Sequence, residues 1–146
     1  MPAVFNEHNI KAGLKEKRRL SAYLDSLVQQ HLEGIKKARL NYIFCTDEYL
    51  LEINKKYLNH DTLTDIITFD LSEGSMLVGE IYISVERVKE NAVKYNTTYI
   101  NELQRVIFHG ALHLCGFKDK AAADQLTMRQ EEDNCLKGYK KATDEA

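Results

Sequence analysis

The chain has 146 residues, 44% of them hydrophobic and 29% charged, and its formal net charge is −2. These values are typical of one soluble globular domain with its own hydrophobic core, and they exclude a nucleic-acid-binding protein whose whole surface is basic. No stretch is long and apolar enough to cross a membrane, and the first residues show no signal-peptide pattern.

The spacing of apolar residues predicts four strands and five helices. Leu20, Leu24 and Leu27 recur at helical spacing before Gly34, whereas the segment around Tyr42 alternates apolar and polar residues as a half-buried strand does. In chain order the predicted elements are a strand at 3–6, a helix at 15–33, a strand at 38–44, a helix capped at 46 or 47 and ending near 58, strands at 64–71 and 76–84, a helix capped at 84 and ending near 96, a helix starting at 97 or 98, and a helix at 121–140.

The order of these elements predicts an α+β fold. The third and fourth strands are expected to form a hairpin within a small mixed sheet of about four strands, covered by about five helices. We expect a single metallohydrolase-like domain over residues 1–146, with a metal site at the end of the fourth helix. That helix is predicted to be largely buried, because Leu103, Val106, Ile107 and Leu114 form an apolar stripe on it.

Two histidines in the fourth helix give the clearest indication of function. His109 and His113 are four residues apart, so on an α-helix both imidazoles lie on one face and can bind one metal ion. Gly116 permits the left-handed residue that ends a helix, and the following turn is expected to bring Asp119 back as a third ligand. Two histidines and one carboxylate leave a coordination position open, which is typical of catalytic rather than structural sites.

These residues also have structural interpretations. A histidine on a helix is often a hydrogen-bonded or surface residue, and Asp119 precedes a helix start at which it would act as an N-cap. Cys115 lies off the face that carries the two histidines and is interpreted as a small buried hydrophobic residue. The three cysteines are scattered, which argues against a disulfide framework and favours a reducing, cytoplasmic location.

The spacing His-x-x-x-His-x-x-Gly-x-x-Asp is similar to the metzincin zinc motif, with one difference. Gly110 occupies the position at which metzincins carry the glutamate that activates water. Glycine has no side chain that accepts a proton, so a peptidase is disfavoured.

Three blocks of the chain carry a more specific resemblance. Residues 57–69 read Tyr-Leu-Asn-His-Asp-Thr-Leu-Thr-Asp-Ile-Ile-Thr-Phe, residues 79–84 read Gly-Glu-Ile-Tyr-Ile-Ser, and residues 109–119 read His-Gly-Ala-Leu-His-Leu-Cys-Gly-Phe-Lys-Asp. In the same order they resemble the YbeY family's Tyr-Arg-Gly-Lys-Asp-x-Pro-Thr-Asp-Val-Leu-Ser-Phe, Gly-Asp-Ile-x-Ile-Ser and His-Gly-x-Leu-His-Leu-x-Gly-Tyr-Asp-His.

The resemblance implies a bacterial metal-dependent endoribonuclease specific for single-stranded RNA. Such an enzyme acts on rRNA precursors, notably at the 3′ end of the small-subunit RNA, and in ribosome quality control. The implied cofactor is one Zn²⁺ ion, with His109 and His113 as the first two ligands. The implied partners are RNA and the small ribosomal subunit, and no membrane is involved.

The chain departs from the family pattern at two positions. Asp119 corresponds to the family's third histidine; a carboxylate is an accepted zinc ligand, but it makes the site less positive, so the acidity of bound water is expected to drop. Leu58 corresponds to an arginine that is expected to act on RNA phosphate, which leucine cannot do. His60, in the same loop, and Lys118, beside the third ligand, are the candidates to replace that arginine.

The sequence leaves the attacking group and the supporting residues open. No general base is evident, so metal-bound water or the RNA 2′-hydroxyl is expected to attack the phosphodiester. Asp65 and Glu80 are candidates to orient a ligand imidazole, although Asp65 also suits a turn before a strand and Glu80 the exposed side of a strand. Two other functions stay open: another zinc hydrolase such as a peptidase, and a ribosome-assembly factor that binds RNA or protein and holds a mainly structural metal.

Overall fold

The computed structural model describes the backbone of residues 1–145 and the side chains of residues 1–141. Ala146, the C-terminal boundary of the predicted domain, lies outside the described residues. Among those residues, no helix is long and apolar enough to span a lipid bilayer. The elements in chain order are β1 (Ala3–Glu7), α1 (Lys17–His31), β2 (Lys37–Cys45), α2 (Asp47–Leu58), β3 (Ile66–Asp70), β4 (Met76–Ser84), α3 (Val85–Lys94), α4 (Tyr99–Leu114) and α5 (Ala122–Glu145).

The four strands form one mixed sheet in the order β1-β2-β4-β3. β2 pairs in parallel with both β1 and β4, whereas β3 pairs antiparallel with β4. β3 and β4 are the predicted hairpin, and Gly74 adopts a φ of 57° in the turn between them. This confirms the predicted α+β fold.

The two faces of the sheet are covered differently. Leu40, Tyr42 and Ile81 are fully buried in the main core, on the face covered by α1 and α4. The Tyr42 hydroxyl donates a hydrogen bond to the Ile107 carbonyl at 2.8 Å and so joins the central strands to α4. The opposite face packs against α2 through a smaller cluster formed by Cys45, Leu50, Ile53 and Ile67.

Helix α4 has well-defined ends. It begins after Thr98, whose hydroxyl accepts a backbone N–H at 3.1 Å as an N-cap. It ends in a Schellman motif: Gly116 has a φ of 100°, and the N–H groups of Gly116 and Phe117 donate to the carbonyls of His113 and Leu112. The helix therefore stops where Gly116 predicted, and the chain turns back beside its last turn.

Some predicted helix ends differ from the structure. α1 begins at Lys17 rather than at residue 15, because Glu16 adopts a left-handed φ of 55° that a right-handed helix does not contain. It ends at His31 because Leu32 is extended. α5 continues to Glu145, beyond the predicted end at residue 140.

Candidate metal centre

One stripe of α4 faces a cleft instead of the sheet. Glu102, Val106, His109 and His113 follow one another at helical spacing, so their side chains lie on one face, and all four line the cleft. The ring centroids of the two histidines are 4.6 Å apart. The helix therefore presents both imidazoles to the same volume, as their spacing predicted.

The turn after Gly116 brings Asp119 to the two rings. Asp119 Oδ2 lies 3.2 Å from Nε2 of His109 and 3.2 Å from Nε2 of His113. Zinc bonds of about 2.0–2.1 Å in a tetrahedral site place neighbouring ligand atoms roughly 3.3 Å apart, so both distances fit a shared ion. One ligand atom from each of the three residues lies within 4.8 Å of the others. The structure brings the three predicted ligands together; that they bind metal stays a prediction.

The structure bears on the two structural interpretations given above, Asp119 as an N-cap and Cys115 as a buried hydrophobic residue. α5 begins at Ala122, and the N–H of Gln125 donates to the Ala121 carbonyl at 2.9 Å, so Asp119 stands too early in the chain to be the N-cap. Cys115 packs half-buried against the main core, and burial raises the pKa of its thiol to about 11. Its packing against the core agrees with the interpretation of Cys115 as a small buried hydrophobic residue.

A carboxylate that was not predicted from the sequence contacts the first histidine. Glu132 of α5 is only 6% exposed, and its Oε2 lies 2.6 Å from Nδ1 of His109. Its other oxygen accepts a hydrogen bond from Arg105 at 2.9 Å, and Arg105 also donates to Asp133 at 2.6 Å. The two nitrogens of the His109 ring therefore face two different carboxylates, Glu132 at Nδ1 and Asp119 at Nε2.

Burial and neighbouring charges shift the pKa values of several groups in the cleft. Burial by itself lowers the pKa of His109, but the hydrogen bond to Glu132 and the charges of Glu132 and Asp119 raise it overall. Burial raises the pKa of Asp65, although the charge of His109 opposes this shift. Burial also raises the pKa of Glu102. Shifted pKa values of this kind cluster at functional sites.

The three candidate ligands line an open cleft of about 800 Å³. His60 and Asp65 line it as well, as does Leu58, which is 43% exposed at the position of the family's arginine. Lys118 is exposed and does not belong to the described lining, which favours His60 over Lys118 as the replacement for that arginine. The longer cationic side chains of the described lining are Arg105, Lys120 and Arg129.

Glu80 lies away from the cleft, so the candidate role of orienting a ligand imidazole is wrong for this residue. Gly79 and Ile81 of β4 lie against α4, and the alternation of side chains along a strand places Glu80 on the opposite face of the sheet. There it accepts a hydrogen bond from the Tyr82 hydroxyl. Asp65 does reach the cleft, but the side chain bonded to His109 is that of Glu132.

The sequence does contain a signal that Glu132 is buried beside a partner. Met128, Glu132, Cys135 and Tyr139 recur at helical spacing along α5, and all four are buried. An unpaired buried carboxylate is energetically costly, so a glutamate within an apolar helical stripe indicates a buried partner. Arg129 carries no comparable signal, because an exposed arginine on a helix is ordinary.

Comparisons with known proteins agree over most of the chain. A family model described as Endoribonuclease YbeY matches residues 5–140. The Endoribonuclease YbeY of Flavobacterium psychrophilum is 57% identical over 105 residues, which cover 72% of this chain and 75% of that protein. The Endoribonuclease YbeY of Cytophaga hutchinsonii is 42% identical over 133 residues, which cover 90% and 92%. The solution structure of TM1509 from Thermotoga maritima matches with a TM-score of 0.62 and 25% identity, covering 97% of this chain and 93% of that one.

Proposed function

Since the chain belongs to the YbeY family of endoribonucleases, we propose that it is a metal-dependent enzyme that cleaves single-stranded RNA. The observation that carries this proposal is the cluster of His109, His113 and Asp119 within an open cleft. Three such ligands leave one position of a tetrahedral ion free for a substrate or water. An open cleft suits a polymer, because the chain on either side of the reacting bond needs room.

The cofactor in this proposal is one Zn²⁺ ion held by His109, His113 and Asp119. Imidazole and carboxylate donors at nearly tetrahedral spacing suit zinc. When bound, the ion supplies Lewis-acid chemistry at a phosphodiester. The chain itself sets the geometry, because α4 fixes two ligands one helical turn apart and the Schellman turn fixes the third.

Binding of RNA phosphates requires cations near this centre, and Leu58 supplies none. Lys120 and Arg129 line the cleft, and neither side chain forms an ion pair within the part of the chain that the structure describes. Arg105, in contrast, is held by Glu132 and Asp133. We therefore assign phosphate binding to Lys120 and Arg129, with His60 as a further candidate on the loop after α2.

The substrate that we propose is an rRNA precursor, cut in the cytoplasm near the 3′ end of the small-subunit RNA, with the small ribosomal subunit as a partner. Two observations support this choice. The three sequence blocks resemble the YbeY signatures in order and spacing. The two relatives named above, which are 57% and 42% identical to this chain, are both called Endoribonuclease YbeY.

Two other functions are less well supported. A peptidase of the metzincin type needs a glutamate after the first histidine, and Gly110 lies against Ile81 on the sheet rather than in the cleft. A ribosome-assembly factor with a structural metal agrees with the missing cation at Leu58. It does not account for a three-ligand centre with an open position in an accessible cleft.

The test is cleavage of a labelled single-stranded RNA by the wild type, His113→Ala and His31→Ala, each with and without added zinc. His31 lies outside the described lining of the cleft, so this variant controls for the loss of a histidine. We expect zinc-dependent cleavage by the wild type and His31→Ala and none by His113→Ala at unchanged folding. Equal cleavage by all three would place the activity elsewhere, and no cleavage by any would favour the assembly-factor function.

A further inference from the structure

The contact between Glu132 and His109 joins two helices at the candidate metal centre. Glu132 Oε2 lies 2.6 Å from His109 Nδ1, which is short for a hydrogen bond between a nitrogen and an oxygen. Both side chains are largely covered, with 8% of the Glu132 side chain and 18% of the His109 side chain exposed. A short contact in a shielded place has little competition from water, so it constrains the direction of the ring.

The chemistry of a neutral imidazole makes this contact directional. One ring nitrogen carries a proton and the other carries a lone pair, and only the lone pair binds metal. A carboxylate at Nδ1 accepts a hydrogen bond, so it selects the form in which Nδ1 is protonated. Nε2 of His109, which lies 3.2 Å from Asp119, then presents its lone pair to the three-ligand cluster.

Glu132 is itself held in place by a cation. Its Oε1 accepts a hydrogen bond from Arg105 at 2.9 Å, and only 13% of the Arg105 side chain is exposed. Arg105 and His109 are four residues apart on α4, so both face α5. The arginine offsets the cost of burying the carboxylate, and Glu132 is fixed without the metal.

We propose that Glu132 is a positioning residue that fixes the ring direction and the tautomer of His109 and thereby raises the affinity of the centre for its metal ion. Glu132 contacts neither the ion nor the RNA in this role. No side chain among the described residues makes the equivalent contact with Nδ1 of His113. His109 is therefore the ligand whose ring orientation is fixed before the metal binds. The inference rests on the proposed metal site, but not on the identity of the RNA.

The test measures zinc affinity by competition with a chelator for the wild type, Glu132→Gln and Asp133→Asn. Loss of a carboxylate that orients a ligand histidine typically lowers metal affinity by about 10–100-fold, and we expect this for Glu132→Gln. Asp133 bonds to the same arginine but does not contact His109, so Asp133→Asn should stay within about twofold of the wild type by the same reasoning. Circular dichroism checks that both variants are folded.

A second measurement reads the tautomer directly. The ¹⁵N chemical shifts of the His109 ring are recorded in the metal-free protein at alkaline pH, at which the ring is neutral. They should show mainly the Nδ1-protonated form in the wild type and Asp133→Asn, because the contact with Glu132 is shorter than the contact with Asp119, and a mixture in Glu132→Gln. Equal zinc affinity of Glu132→Gln and the wild type, or an equal loss in both variants, would overturn the proposal. If the wild type bound no zinc, the proposed metal site would fail together with this inference. If the wild type bound zinc and Glu132→Gln bound it equally well, the proposed metal site would stand and this inference alone would fail.

Discussion

Gly110 of α4 lies so close to Ile81 of β4 that a Cβ atom at position 110 would be 2.9 Å from Ile81 Cγ2. The same atom would be 3.1 Å from Ile66 Cδ1 of β3. The helix thus rests directly on the sheet at the residue that follows His109. Because successive residues of a helix point about 100° apart, contact of Gly110 with the sheet turns His109 and His113 toward the cleft.

We expect Gly110→Ala to destabilise the protein. Overpacking a core costs about 1–3 kcal/mol, whereas alanine gains roughly 1 kcal/mol of helix propensity over glycine, so the net loss should be about 1 kcal/mol. Denaturation by guanidinium chloride measures the free energy of unfolding. Asn134→Ala, at an exposed position of α5, is the control and should show no loss. A Gly110→Ala variant as stable as the wild type would mean that α4 does not rest on the sheet at this point.

The third ligand gives a prediction that compares two substitutions at one position. Asp119→His places the family's residue in the cluster and should keep zinc binding, because histidine and aspartate are both accepted zinc ligands. Asp119→Ala removes a donor 3.2 Å from both histidines, and zinc affinity should fall by more than about 100-fold, beyond what loss of a supporting carboxylate causes. Asp124→Ala, in the first turn of α5, is the control. Tight binding by Asp119→Ala would show that Asp119 is not a ligand.

Lys120 and Arg129, the two long cationic side chains of the described lining that form no ion pair, predict how RNA affinity depends on salt. A cation that contacts a phosphate of single-stranded RNA releases a counterion, so its loss should reduce the slope of log K against log salt by about 0.7. We expect this for Lys120→Ala and for Arg129→Ala, measured by fluorescence anisotropy. Lys118→Ala is the matched control, because Lys118 is exposed but lies outside the described lining. If Lys118→Ala changed the slope as much as the other two, the cleft would not be the RNA-binding surface.

The parts of the site that sequence could predict are those encoded by neighbouring residues. The His109–His113 pair and the stop at Gly116 follow from helical periodicity and from the freedom of glycine to adopt a positive φ, and both occur as predicted. The YbeY assignment made from three motifs is confirmed by the family model. The predicted fold is confirmed as well, because apolar residues recur at helical spacing in the helices and alternate with polar residues in strands such as β2.

The parts that sequence could not predict depend on how distant elements pack. Glu132 reaches His109 only because α5 lies against α4, and 23 positions separate the two residues in the chain. Glu80 was a candidate because it is a carboxylate near the motif blocks. In this case the alternation along β4 did favour the other interpretation, because Gly79 and Ile81 belong to the buried face and Glu80 to the opposite one, where the structure places it. Lys118 and Lys120 are two residues apart, and the turn after Gly116 decides which of them lines the cleft.

Glu102 gives a prediction about pH because it is only 5% exposed at the N-terminal end of α4. Burial raises its pKa above the ordinary value of 4.5, although Arg105 and Arg129 oppose the shift. Folding therefore favours the protonated acid, and this stabilising contribution is complete below about pH 4.5 and is lost as the pH rises through the raised value. At pH 7 the buried charged carboxylate should destabilise the folded state. Glu102→Gln should therefore be more stable than the wild type, and the difference should shrink on acidification.

Urea denaturation from pH 7 to pH 4 tests this prediction, with Glu52→Gln on the exposed side of α2 as the control for loss of one negative charge. Lower stability of Glu102→Gln at pH 7 would mean that the carboxylate is stabilised in its charged form, and the two arginines would then outweigh burial.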